Sequence, residues 1–245
     1  MTSRRWRRPS VFALGLTIAG AAAFAALGVW QLDRAAQKER LLASFAAGST
    51  APLVELADVR DRDVTQQFPH VHAAGRFVAD RGYLLDEQIH AGQVGVRAIG
   101  VFAAEREDRL LLVDRGWLPW NHAPGTRPAV PPLPEGEQSL SGIYAPFPGG
   151  GLAVGGDALK TQAAWPKLTL RLDAAAVAAD LGKPVLPRIL LLDPTPDSGF
   201  VREWTPNVMP PARHRAYAFQ WFTFAVAALA IFVAIHWRKV ENATS

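Results

Sequence analysis

The sequence predicts an α+β membrane protein: two transmembrane helices, one near each end, flank a β-rich extramembrane domain of antiparallel sandwich or barrel-like form. Three observations predict it. Residues 11–30 and 217–235 form two runs without a single charged side chain. Between them lie short stretches rich in branched and aromatic residues, punctuated by Pro and Gly. Arg and Lys cluster on the far flank of each apolar run.

Taken in order, residues 1–10 carry Arg4, Arg5, Arg7 and Arg8 and read as a cytoplasmic N-terminus. Residues 11–30 reach about 30 Å as a helix, the thickness of the hydrocarbon core. A cleaved leader has a shorter apolar region of about 7–15 residues. This run also flows without turn residues into Gln31-Leu32-Asp33-Arg34, so it reads as a retained anchor. Gly15, Ala19 and Ala23 form a row of small residues suited to close helix contact. Trp30 and Gln31, at the outer end, stand level with the Tyr217–Trp221 turn of the second run. The helix continues over 33–45 with Leu41, Leu42 and Phe45 as an apolar stripe, until Gly48-Ser49-Thr50-Ala51-Pro52 stops it.

Residues 31–213 are expected outside. Strands are predicted over 70–77, 82–85, 94–102, 110–113, 140–144, 168–172 and 188–192. A short helix over 173–181 has Asp173 as its N-cap and Gly182 as its stop. The proline-rich stretch 123–136 and the glycine-rich stretch 146–156 are predicted loops. Gly149, Gly150, Gly151, Gly155 and Gly156 give no phosphate-binding G-x-G-x-x-G in any register. Residues 217–235 form the second span and 236–245 the cytoplasmic C-terminus, with Arg238 and Lys239 directly after the span. Both termini are therefore expected inside, although Arg34, Lys38, Arg213 and Arg215 weaken the asymmetry.

Composition removes several function classes. The isoelectric point near 9.8 invites a nucleic-acid reading. Four of the 26 Lys and Arg precede the first run and two follow the second, leaving 20 against 21 Asp and Glu between the runs. The basic surplus is a matter of topology, and no nucleic-acid partner is expected. There is no cysteine and there are two methionines. That argues against thiolate redox chemistry, c-type haem attachment and soft copper sites.

No G-x-S-x-G, H-E-x-x-H or paired catalytic carboxylate appears, so no enzyme is expected. Asp86 and Glu87, being adjacent, should point to opposite faces of a strand. His70 and His72 could share one strand face, as half a metal site that lacks an evident third ligand. On a helix, His214, Tyr217, Trp221 and Phe224 fall on one face, placing an imidazole at headgroup level above an aromatic stripe. A flat, apolar, metal-bearing ligand would suit that stripe. An interfacial aromatic belt accounts for the same residues. His236 is 22 residues on, about 33 Å away, and cannot share a ligand with His214.

Several motifs carry a family resemblance. Leu27-Gly28-Val29-Trp30-Gln31-Leu32-Asp33-Arg34 with Lys38 resembles the L-G-x-W-Q-x-x-R-x-x-x-K signature of the Surfeit locus protein 1 family. Gly75-Arg76-Phe77 and Leu84-Leu85-Asp86-Glu87-Gln88 with Gly92 and Gly95 are similar too. Leu112-Val113-Asp114-Arg115-Gly116-Trp117-Leu118-Pro119 resembles L-V-N-R-G-W-V-P, with Asp114 where the family has Asn. His214, Tyr217, Ala218, Gln220, Trp221 and Phe222 resemble H-x-x-Y-A-x-Q-W-F. The resemblance covers nearly the whole chain.

It implies an assembly factor for a haem–copper terminal oxidase (cytochrome c oxidase) in the bacterial inner membrane. Such a factor binds haem a and assists its insertion into the catalytic subunit. It further implies His214 as the haem iron ligand, with Tyr217, Trp221 and Trp30 lining the cofactor. The implied partners are the oxidase catalytic subunit, other assembly factors and the lipid bilayer. The main domain would be periplasmic. A membrane scaffold that stabilises the nascent subunit without holding cofactor fits the same resemblance.

Overall fold

The structure is a computed structural model that describes residues 3–62, 67–123, 126–148, 159–206 and 208–240. In chain order its elements are β1 (Ser3–Trp6), α1 (Val11–Ser49), β2 (Val54–Glu55), α2 (Leu56–Val59), β3 (His70–His90), β4 (Gln93–Ala104), β5 (Leu110–Pro119), β6 (Gln138–Pro146), β7 (Lys167–Thr169), α3 (Ala174–Leu181), β8 (Val185–Leu192), α4 (Pro211–His236) and β9 (Trp237–Val240). Two compact units result: Met1–Leu41 with Val208–Ser245, and Leu42–Asn207.

In the first unit, α1 starts where Ser10 accepts the Ala13 amide on its hydroxyl at 3.1 Å. It runs unbroken to Ser49 because no Gly or Pro interrupts residues 29–47. α4 starts with Pro211 in the first turn, where a missing N–H costs nothing. Thr17 and Thr223 donate their hydroxyls to the carbonyls of Ala13 and Phe219, each at 2.9 Å, so these polar groups are satisfied inside apolar helices. Both helices are long and apolar enough to cross a membrane. Phe12, Leu16, Val226 and Ile231 are all exposed. So much apolar surface is unfavourable in water, which points to membrane association. β1 and β9 pair antiparallel, from Ser3 opposite Val240 to Trp6 opposite Trp237. The sequence gives these segments as plain basic tails. They pair because the helices bring them side by side.

The second unit is a seven-stranded mixed sheet. Hydrogen bonding runs from β3 through β4, β5, β8 and β6, and β6 also pairs with β3, so the path returns to its start. The predicted antiparallel sheet is corrected to a mixed one, since β2–β3, β3–β7 and β5–β8 are parallel while β3–β4, β3–β6, β4–β5 and β6–β8 are antiparallel. Parallel neighbours need a long crossover. The chain between β5 and β8 supplies it, passing through β6, β7 and α3. β5 lies between β4 and β8 and is buried along 110–118, which accounts for its unbroken apolar start, Leu110-Leu111-Leu112-Val113. Its side chains join Val71, Phe77, Phe102, Tyr144, Leu186 and Leu190 in the main core. α3 matches its prediction: Asp173 accepts the Ala176 amide at 2.9 Å, and Gly182 ends the helix at φ +65°.

Two motif segments interrupt strand regularity. β3 merges the predicted strands 70–77 and 82–85, with irregularities between Phe77 and Gly82 and between Leu85 and Gln88. Glu87 sits at φ +55° in the second, so strict alternation of Asp86 and Glu87 does not hold. On β5, Ala98 faces Gly116 while Ile99 faces Asp114, leaving Arg115 as the extra residue of a bulge. Its guanidinium donates to the carbonyls of Pro131 and Pro132 at 2.8 and 2.6 Å and lies 4.6 Å from the Phe200 ring centroid. Gly116, at φ +127°, leaves no room for a side chain: a Cβ would lie 2.6 Å from that of Phe200. The Trp117 ring donates to the Gln88 carbonyl at 2.9 Å. Asp114 is fully buried, forms an ion pair with Arg97 (2.5 Å) and accepts the Gly116 amide at 3.1 Å. The Arg-Gly-Trp motif thus anchors loops around a strand bulge. The predicted loop glycines 149–151, 155 and 156 lie outside the described residues.

Candidate functional site

In the first unit α1 and α4 run antiparallel, because contacts advance along one as they recede along the other. Trp6 meets His236, Phe24 meets Trp221, and Gln31 meets His214. Buried small residues space the contact at heptad intervals: Ala21, Gly28 and Ala35 on α1, Ala218 and Ala225 on α4. Small residues let backbones approach closely. At Gly28 a Cβ would lie 2.5 Å from the Phe222 ring. The predicted row of Gly15, Ala19 and Ala23 is exposed instead. Its four-residue spacing lies on a neighbouring stripe of the same helix, and the heptad row is the one that keeps facing an antiparallel partner.

Above the aromatic group formed by Phe24, Trp221 and Phe224, with ring centroids 5.8 Å apart, sits His214. Its side chain is buried against α1, and Nδ1 lies 2.7 Å from Oε1 of Gln31. A carbonyl oxygen can only accept, so Nδ1 donates. Nε2, on the other side of the ring, is buried and has no hydrogen-bond partner among the described residues. Buried polar atoms nearly always have a partner, so this one stands out. An imidazole nitrogen held by a hydrogen bond at the opposite ring atom has the arrangement of a metal-binding histidine.

The other sequence-predicted residues are less closely gathered. Trp221 is half-buried against Phe24, while Tyr217 is exposed at 42% and Trp30 at 49%. The Trp30 ring has the Arg34 guanidinium 5.4 Å from its centroid. Gln31, not Trp30, faces α4 here, since adjacent helical residues point about 100° apart. The sequence sets Gln31 level with the Tyr217–Trp221 turn, whereas its partner lies one turn earlier. His236 is at the far end of α4, with Nδ1 2.8 Å from the Phe232 carbonyl.

In the second unit both predicted histidines use both ring nitrogens. His70 bonds the Ala51 carbonyl at 3.1 Å and the Asp193 carboxylate at 2.8 Å. Burial opposes charge on this ring, but Asp193 and Ala51 outweigh it and hold its pKa above the ordinary value. His72 bonds Glu55 at 3.2 Å and the Ser139 hydroxyl at 2.8 Å. Among the described residues no group of three His, Cys, Asp or Glu is placed to hold a metal ion.

Comparison with known proteins bears on which of these features matters. The profile of the SURF1 family matches residues 18–226, which takes in the sheet unit and most of both long helices. A SURF1-like protein of Rickettsia bellii is 27% identical over 223 residues, 88% of this chain and 87% of the relative. One of Monosiga brevicollis is 25% identical over 228 residues, 88% and 84% of the two chains. A Rickettsia felis SURF1-like protein is 32% identical over 94 residues, 38% of this chain and 40% of that protein's length.

Proposed function

The chain belongs to the SURF1 family, and on that premise we propose that it binds haem a through His214 and assists its insertion into the catalytic subunit of a haem–copper terminal oxidase. The family is one of oxidase assembly factors, and its members are not typically enzymes. The observation that carries the cofactor part of the reading is Nε2 of His214, buried and without a hydrogen-bond partner among the described residues.

The residues present fit the group. Haem iron takes a neutral imidazole nitrogen readily, and the rings of Phe24, Trp221 and Phe224, which begin two turns further along α4, offer apolar surface of the kind a macrocycle requires. When bound, haem a supplies redox-active iron that becomes functional in the oxidase. This chain's own residues have a simpler task. Gln31 hydrogen-bonds His214, and exposed Tyr217 and Trp30 are available to a ligand entering from the lipid side. One imidazole gives weak ligation, which is what a donor that must release its cargo needs.

Location follows the same line. The pairing of β1 with β9 supports both termini on one side of the membrane, and their basic residues favour the cytoplasm. Residues 31–213 would then be periplasmic, in a bacterial inner membrane protein whose partners are the oxidase catalytic subunit and other assembly factors.

The test is the haem content of protein purified from a host that makes haem a. His214→Ala should lower occupancy about tenfold or more while the protein remains inserted and abundant, and His236→Ala should leave it unchanged. Wild-type haem content in the His214 variant, with oxidase assembly still failing, would replace this reading with a scaffold that holds no cofactor.

A further inference from the structure

Gln31 is half-buried on α1, and its Oε1 is the one atom hydrogen-bonded to the His214 ring among the described residues. We propose that Gln31 is a positioning residue that fixes His214 as the Nδ1–H tautomer and thereby makes Nε2 the nitrogen offered to a metal-bearing ligand. The identity of that ligand rests on the reading above. The tautomer does not.

The geometry is restrictive. Which nitrogen of a histidine carries the proton is set by the hydrogen bond the other makes. Here Nδ1 faces the Gln31 amide oxygen at 2.7 Å and the buried Nε2 has no partner among the described residues, so the alternative tautomer would set the Nδ1 lone pair against that oxygen and leave a buried N–H unsatisfied. Gln31 is itself fixed in place. Ala35 and Gly28, one turn to either side on the same face, are buried in the helix contact, as is Ala218 one turn after His214. Small residues around a polar pair bring the two backbones close enough for a glutamine to span the gap. An acceptor on the far nitrogen also raises the basicity of the ligating one, and loss of such a partner costs about 10–100-fold in metal affinity.

Two measurements on the full chain in lipid nanodiscs test this. The first is nitrogen-15 NMR of histidine-labelled protein without haem. His214 should show a protonated Nδ1 and an unprotonated Nε2, and Gln31→Leu should shift the population toward Nε2–H. A wild-type Nε2–H tautomer, or an unchanged one in the leucine variant, would overturn the proposal whether or not haem binds. The second uses haem a itself. Gln31→Leu should weaken binding about 10–100-fold. Gln31→Glu, which keeps an acceptor, should restore binding, raise the iron–histidine stretching frequency and lower the iron midpoint potential. Equal affinity, stretch and potential in all three proteins would dismiss the positioning role while leaving haem binding intact. The Nδ1–H tautomer in a wild type that binds no haem would do the reverse, removing the haem reading and leaving the tautomer in place.

Discussion

His70 is the residue whose charge has the clearest consequence for the sheet unit. Its two nitrogens bond an acceptor each, a carbonyl and a carboxylate, which requires both to be protonated. Its folded pKa lies above the unfolded value of about 6.5, so the folded state binds the proton more tightly. The resulting stabilisation is fully present below about pH 6.5 and is lost as pH rises through the folded value. Thermal unfolding of the full chain should therefore show stability falling as pH rises above about 6.5, and His70→Gln should flatten that slope. Of the residues at the candidate site, the sequence makes His214 visible because an imidazole beside an apolar run is rare. Gln31 is visible as a motif residue at the outer end of the first run, but its pairing with His214 is hidden until the facing helix is in place. Asp114 is similar: its departure from the family's Asn is legible, but its partnership with Arg97 emerges only from the register of β4 and β5.

Elements show the same division between local and distant information. The two long helices are legible from run length, and α3 from Asp173 and Gly182, since these signals sit within the segment they describe. Parallel pairing of β5 with β8 is not legible, because no residue of either strand encodes a neighbour about 75 positions away. The face by which α1 meets α4 is likewise decided by the partner, which selects Ala21, Gly28 and Ala35 over Gly15, Ala19 and Ala23. That contact yields a direct expectation. Gly28→Val would drive a side chain into the Phe222 ring and should destabilise the helix pair by about 1–3 kcal/mol. Phe222→Ala should offset much of that loss in the double variant. Unfolding in mixed detergent micelles, followed for the four members of the cycle, measures the coupling, and strict additivity would show that Gly28 and Phe222 do not meet.

At the scale of the whole molecule, the claim is a chain with both ends on one face of a membrane and a family task on the other. Alkaline phosphatase fused after the exposed turn glycine Gly136 should be active and a fusion after Val240 inactive; the reverse pattern would invert the topology. What such a protein accomplishes is read most directly in its client. The catalytic subunit of the terminal oxidase, purified from cells with and without this chain, can be assayed for haem a per polypeptide. The account predicts a subunit that still accumulates without the chain but carries well under its full complement of haem a, and that Gln31→Leu and His214→Ala alleles leave similarly depleted. A subunit fully loaded with haem a but scarce in the membrane would contradict it.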